Sequence, residues 1–186
     1  MKLNPGAILI AVLIAVIMST FFLLYQRHGV INLPGRTELG ELKSFSYSPG
    51  YSDMNGASHY ETLKKDENET WVIVTGDRDS FEEPMVTTTY EVSKDAVEEF
   101  EAFLIERNVL GLVNRKDSDE FITDYSSWGF SIVYDNSAAG GSRYETYSIG
   151  EYKRYSDKDY ELIQETKDRF HNLRGRVLSE TTEEDN

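Results

Sequence analysis

The chain has 186 residues, carries 33 acidic against 19 basic side chains for a formal charge of −14, and contains no cysteine. The missing thiols exclude disulfides, thiolate zinc sites, cysteine nucleophiles and a bacterial lipoprotein anchor, whose acyl chains sit on a cysteine. The first 28 residues hold Lys2 and Arg27 and no acid, so the remainder stands at −16; a surface of that sign repels nucleic-acid phosphates and anionic headgroups, and no nucleic-acid partner is expected.

Residues 1–6 form a short leader with one Lys. The run AILIAVLIAVIMSTFFLLY, residues 7–25, is uncharged; as a helix it reaches about 28 Å, close to the ~30 Å hydrocarbon core of a bilayer. It exits through Phe21, Phe22, Leu23, Leu24 and Tyr25, which are bulky where a signal peptidase requires small residues, so the expectation is a retained signal anchor over residues 1–25, with a cleaved signal as the alternative. Lys2 and Arg27 nearly cancel under the positive-inside rule. The lean is toward a cytoplasmic amino terminus and an extracytoplasmic domain. Ala7, Ala11 and Ala15 recur at four-residue spacing, which would let two such helices approach, though alanine is also simply a good helix former.

Residues 26–41 carry Gly29, Pro34, Gly35 and Gly40 without a sustained period and read as a linker. LKSFSYS (42–48) alternates, with Phe45 and Tyr47 on one face, and ASHYETLKK (57–65) follows a Gly/Asn-rich loop, predicting two antiparallel strands. A polar turn at Asp66-Glu67-Asn68 leads into TWVIVTG (70–76), whose β-branched run suits a central strand, and VTTTYEV (86–92) predicts a fourth. Short links between four successive strands imply a meander.

Ser93 can cap a helix over residues 94–108, with Val97, Phe100, Phe103 and Leu104 as its apolar stripe and Gly111 opposing continuation. After a charged link, WGFSIVY (128–134) and RYETYSI (143–149) predict a hairpin around the loose loop 135–142. Ser156 and Asp159 have the form of a capping box opening a helix to about Arg174, with Tyr160, Ile163, Phe170 and Leu173 facing the core. Residues 179–186, SETTEEDN, have no apolar content and predict a disordered acidic tail. The fold class expected is therefore α+β: an N-terminal transmembrane helix, then a two-layer domain over residues 42–178 with an antiparallel sheet of about six strands and two helices on one face.

No motif identifies a reaction, and neither a catalytic residue nor a cofactor is assigned. The three histidines, His28, His59 and His171, stand in no catalytic or metal-ligand spacing, and no G-x-S-x-G elbow is present. Two acidic loops, Asp77 to Glu83 and Asp117, Asp119, Glu120 and Asp124, have the oxygen-rich composition hard cations need; without EF-hand spacing the second group supplies only weak metal candidates. Tyrosines with Trp128 concentrate in the second half. Because Tyr joins an apolar ring to a polar tip, Tyr51, Tyr125, Trp128, Tyr144, Tyr147 and Tyr152 are the interface candidates, against the plainer reading that such residues belong in strands. Gly140-Gly141 lacks the Lys-Ser/Thr of a phosphate loop. Asn68-Glu69-Thr70 fits a glycosylation acceptor.

The succession SFSYSPGYSDMNGASHYETL, YEVSKDAVEEFEAFLIERNVLGL and WGFSIVYDNSAAGGSRYETYSIG, closed by an amphipathic helix, resembles a class of uncharacterised envelope domains. These follow single amino-terminal anchors or lipoprotein signals in Gram-positive, largely gut-dwelling bacteria. The resemblance covers residues 42–174 and implies no catalytic residues; this chain departs from the lipoprotein members in lacking the anchoring Cys. The expectation that follows is a single-pass, membrane-anchored extracytoplasmic domain, non-catalytic, that binds another envelope protein. The alternatives are a ligand- or cation-binding sensor-like module and, less favoured, an enzyme of unrecognised type.

Overall fold

The computed structural model describes residues 39–50, 56–118, 128–137 and 144–183. Within them β1 (Glu41–Ser48), β2 (Ser58–Lys65), β3 (Trp71–Arg78) and β4 (Met85–Glu91) form the predicted meander. β5 (Gly129–Asp135) and β6 (Tyr144–Gly150) add on its β1 side, and β7 (Val177–Glu183) on its β4 side. The sheet is antiparallel throughout, in the order β6-β5-β1-β2-β3-β4-β7. With helices α1 (Lys94–Glu106) and α2 (Asp157–His171) the domain is α+β. The predicted membrane helix at 7–25 lies outside the described residues, and among those described no helix is long and apolar enough to cross a membrane.

Register explains where the core sits. Ile132, Phe45, Leu63, Ile73 and Tyr90 face one another across β5, β1, β2, β3 and β4, so one side of the pleat carries a continuous apolar row. Phe45 is the centre of that row. Its fully buried ring lies 5.0 Å from Phe100 of α1, 4.7 Å from Phe170 of α2 and 5.3 Å from Phe130 of β5. One strand residue thus touches both helices, and burying such a ring contributes about 2–3 kcal/mol. A register shift between Leu42 and Ser44 turns Leu42 inward as well, against the simple alternation of the strand.

Two expectations are corrected, and a segment read only as a charged link gains an element. The sheet has seven strands rather than about six, because residues 177–183, the larger part of which falls in the predicted disordered tail 179–186, form β7 along β4. The link after α1 is ordered: Asn108 takes a left-handed conformation (φ 54°) and starts a 3-10 helix, Val109–Asn114, that buries Val109, Leu110 and Leu112. Tyr160 does not join the core stripe of α2, being 52% exposed. Asp159 takes the inward place beside it, where it closes the capping box with Ser156 and pairs with Arg115 at 2.6 and 3.0 Å. The four apolar residues predicted for α1 are its buried ones.

Glycine matters most at Gly40. Its N–H donates to Asn136 Oδ1 at 2.7 Å, and a Cβ there would meet the Asp135 carbonyl oxygen at 1.7 Å. Only a residue without a side chain allows that approach. Gly175 performs a similar service after α2, where its N–H donates to the Glu91 carbonyl and ties the helix exit to β4.

Candidate functional site

The alternation that buries Leu63 also turns His59 and Glu61 of β2 toward the helices, because residues two apart share a face. His59 stands directly opposite Asp77 of β3, and Glu61 opposite Thr75. A carboxylate has therefore been placed at a core position of the middle strand, where Glu61 is 2% exposed. Burial of an unpaired carboxylate would cost several kcal/mol. Partners arrive from both sides.

His59 Nε2 lies 2.8 Å from Glu61 Oε1, while its Nδ1 contacts Asp77 Oδ1. From above, Arg174, three residues beyond the end of α2, donates to Glu61 Oε2. His171, the last residue of α2, brings its Nε2 to 3.2 Å from the same Oε1 that His59 holds, outside hydrogen-bonding geometry. Two imidazoles and a guanidinium thus converge on one carboxylate.

The environments drive the two histidines apart. Burial pulls the His59 imidazole down, but its contacts with Glu61 and Asp77 outweigh that and raise it, so a carboxylate on each nitrogen favours the protonated ring. Burial also pulls His171 down; Glu61 resists, Arg174 and Lys167 reinforce the effect, and the net direction is down. His171 is therefore neutral at pH 7. Glu61 is raised by burial and lowered more by Arg174 and His59, leaving it ionised. Opposed shifts on neighbouring titratable groups separate a proton-holding from a proton-accepting partner.

Beside this cluster opens a cleft of about 470 Å³ lined by Tyr47, His59, Asp77, Asp79, Lys167 and His171, among others. β2 contributes His59 and Glu61, and β3 contributes Asp77 and Arg78 with Asp79 just beyond it; α2 contributes Lys167 and His171. The Tyr47 ring joins the two sides, 5.6 Å from Lys167 Nζ and 5.6 Å from the His171 ring. Its volume suits a small molecule. Ser58 Oγ and His171 Nε2 are buried at this cleft without a hydrogen-bond partner among the described residues.

The residues singled out from sequence are dispersed. Tyr51 and Tyr125 lie outside the described residues, as do the metal candidates Asp119, Glu120 and Asp124. Asp117 is exposed and engaged by Lys153 Nζ at 2.7 Å. Among the described residues no three His, Cys, Asp or Glu side chains are placed to hold a metal ion. Tyr144 is exposed at the start of edge strand β6, whereas Tyr147 faces the other way and packs edge-on against buried Tyr134 at 6.2 Å. Trp128 and Tyr152 belong to one end of the domain, where Trp128, Tyr155 and Tyr160 form a row with centroids 5.9 and 5.6 Å apart. There the Tyr152 and Tyr155 hydroxyls donate to the carbonyls of Ser148 and Gly150 in β6.

Sequence reading missed the cluster because its members lie on β2, β3, and in and beyond α2, and none belongs to a local motif. The one available signal was Glu61, an acid in register with core-facing Leu63. No protein-family model, curated protein or solved structure matches the chain.

Proposed function

We propose that this chain is a membrane-tethered, non-catalytic binding domain. Residues 7–25 anchor it, the acidic domain stands off the bilayer on the extracytoplasmic side, and the cleft at the end of β2 takes a small zwitterion such as an amino acid or short peptide. The observation that carries this reading is one cleft that sets Asp79, just beyond β3 and next to Arg78, across from Lys167 and the neutral His171 of α2. A ligand amine suits the Asp79 carboxylate and a ligand carboxylate the Lys167 ammonium. The neighbouring Glu61 is already neutralised by Arg174 and His59. The uncharged length of residues 7–25 and the resemblance to anchored envelope domains support the tether and its location.

The test is calorimetry on the full chain in detergent micelles against the amino acids and a dipeptide panel. Saturable binding is expected, weakened at least tenfold by Lys167→Ala and by Asp79→Asn. Absence of binding across the panel, or binding that both variants retain, overturns the reading. A second reading, assembly with another envelope protein, is favoured by the exposed Tyr152 and Tyr160 flanking Trp128 and Tyr155. Site-specific photocrosslinking from position 160 in native membranes tests it, and failure to capture one reproducible partner removes it.

A further inference from the structure

The two helices leave a groove on the outer side of their layer, about 760 Å³ in volume and independent of the cleft. Its floor is apolar: Ala96 and Phe100 from α1, and Leu173 just beyond α2. Along α2 the lining residues Glu161, Glu165, Asp168 and Asn172 recur at spacings of four, three and four, one stripe running the length of the helix. The groove is thus a furrow along two helices rather than a pit, the shape into which ridges of a third helix pack.

Charge on the rim selects the occupant. Glu99, Glu161, Glu165 and Asp168 line it with one lining cation, Arg169, and Arg107 reaches Glu165 from outside at 3.1 Å. Arg169 is turned away, its guanidinium 4.3 Å from the Phe103 ring centre and its Nε 3.2 Å from Glu165. The Glu99 and Glu161 side chains make no ion pair or hydrogen bond among the described residues. An apolar floor between acidic walls complements a helix with an apolar stripe flanked by Lys or Arg. It disfavours an acidic helix, an anionic membrane surface and, at a net charge of −14, a second copy of this chain.

We infer that the groove between α1 and α2 is a docking site for a cationic amphipathic helix of a partner protein, apolar face on Phe100 and Leu173, basic flanks on Glu99 and Glu161. The stripe from Glu161 to Leu173 corresponds to a helix of about 18 Å, or roughly 12 to 14 residues.

The probe is a synthetic Leu/Lys amphipathic peptide of about 14 residues, titrated by fluorescence anisotropy onto the full chain in zwitterionic nanodiscs, beside a scrambled peptide of the same composition and a Leu/Glu counterpart. Empty nanodiscs measure binding to lipid alone. Expected are saturable binding of the Leu/Lys peptide beyond that to empty discs, weakened at least tenfold by Glu99→Lys/Glu161→Lys, and at least tenfold weaker binding of the two controls. Glu67→Lys/Glu69→Lys, on the exposed β2–β3 turn, changes net charge equally and is expected to leave affinity within twofold. Circular dichroism confirms that both variants fold, since all four positions are exposed. Equal weakening by both double variants assigns the effect to general attraction and overturns the site. So does unchanged binding to Glu99→Lys/Glu161→Lys, or no binding beyond empty discs. Self-association in sedimentation that this variant abolishes gives the groove to a second copy and also overturns the proposal.

Discussion

Arg174 and Glu61, 113 residues apart in the chain, form a buried ion pair that joins the exit of α2 to the middle strand of the sheet. The pair is asymmetric, since Glu61 is 2% exposed and the Arg174 side chain 30%. Removing the cation strands a buried carboxylate. Arg174→Ala is expected to cost about 3–5 kcal/mol in urea unfolding, whereas Glu61→Leu combined with Arg174→Met recovers most of that loss, because an apolar pair of similar volume carries no desolvation penalty. A double variant as unstable as the single one refutes the assignment.

His59 and His171 give stability a pH dependence with two limbs. Unfolded, each titrates near pH 6.5. The folded value of His59 is raised, so its contribution is complete below about pH 6.5 and is lost as pH rises through that folded value. The folded value of His171 is lowered, so its contribution is complete above about pH 6.5 and is lost as pH falls. His59→Asn is expected to flatten the alkaline side of a melting-temperature profile between about pH 5 and 8, and His171→Asn the acid side. Profiles parallel to wild type in both variants contradict the opposed shifts.

Asp159 combines a helix cap with an ion pair. Arg115, with help from Ser156, holds its carboxyl down at about 2. Its contribution is present above about pH 3.8 and disappears as pH falls through about 2. Asp159→Asn is expected to cost about 1.5–3 kcal/mol at pH 7. A denaturation series toward acid checks it: the deficit narrows below about pH 3.8 and closes near pH 2.

α1 was fully legible: its 3.6-residue period and Ser93 cap name the same four buried residues that the structure does. β7 was not. Its residues 179–183, SETTE, read as tail because an edge strand beside β4 needs no apolar face, and only the paired threonines, Thr181 and Thr182, hinted at extended structure. Tyr160 failed for a different reason, since helical spacing cannot say whether the inward slot goes to an aromatic ring or to a paired carboxylate one position away. The cluster around Glu61 depends on contacts between β2, β3 and α2, and local pattern carries no information about such distant encounters.

Termination after Arg176 tests β7 directly. Losing its ladder leaves β4 as an open edge, with an expected loss of about 3 kcal/mol from backbone hydrogen bonds worth about 0.5–1.5 kcal/mol each. Urea unfolding measures it, and hydrogen exchange at residues 178–182 of the intact chain should show protection. Unaltered stability and unprotected amides return the segment to a tail.

Gly40→Ala places a methyl group against the Asp135 carbonyl. A loss of about 3 kcal/mol is expected, at the upper end of overpacking costs. A variant as stable as wild type shows that the strand can part there without penalty.

The pairing of Glu61 with Arg174 also orders events during synthesis. At about 5–20 residues per second, a ribosome takes roughly 6 to 23 seconds to cover the 113 residues between them. Once β4 is made, the meander holds a carboxylate at its middle with His59 beside it but without its guanidinium, and β4 waits for β7. The nascent domain can collapse around β1–β4, but it completes its fold only when α2 and β7 arrive, which makes the interval before them the period in which this domain most needs protection from aggregation.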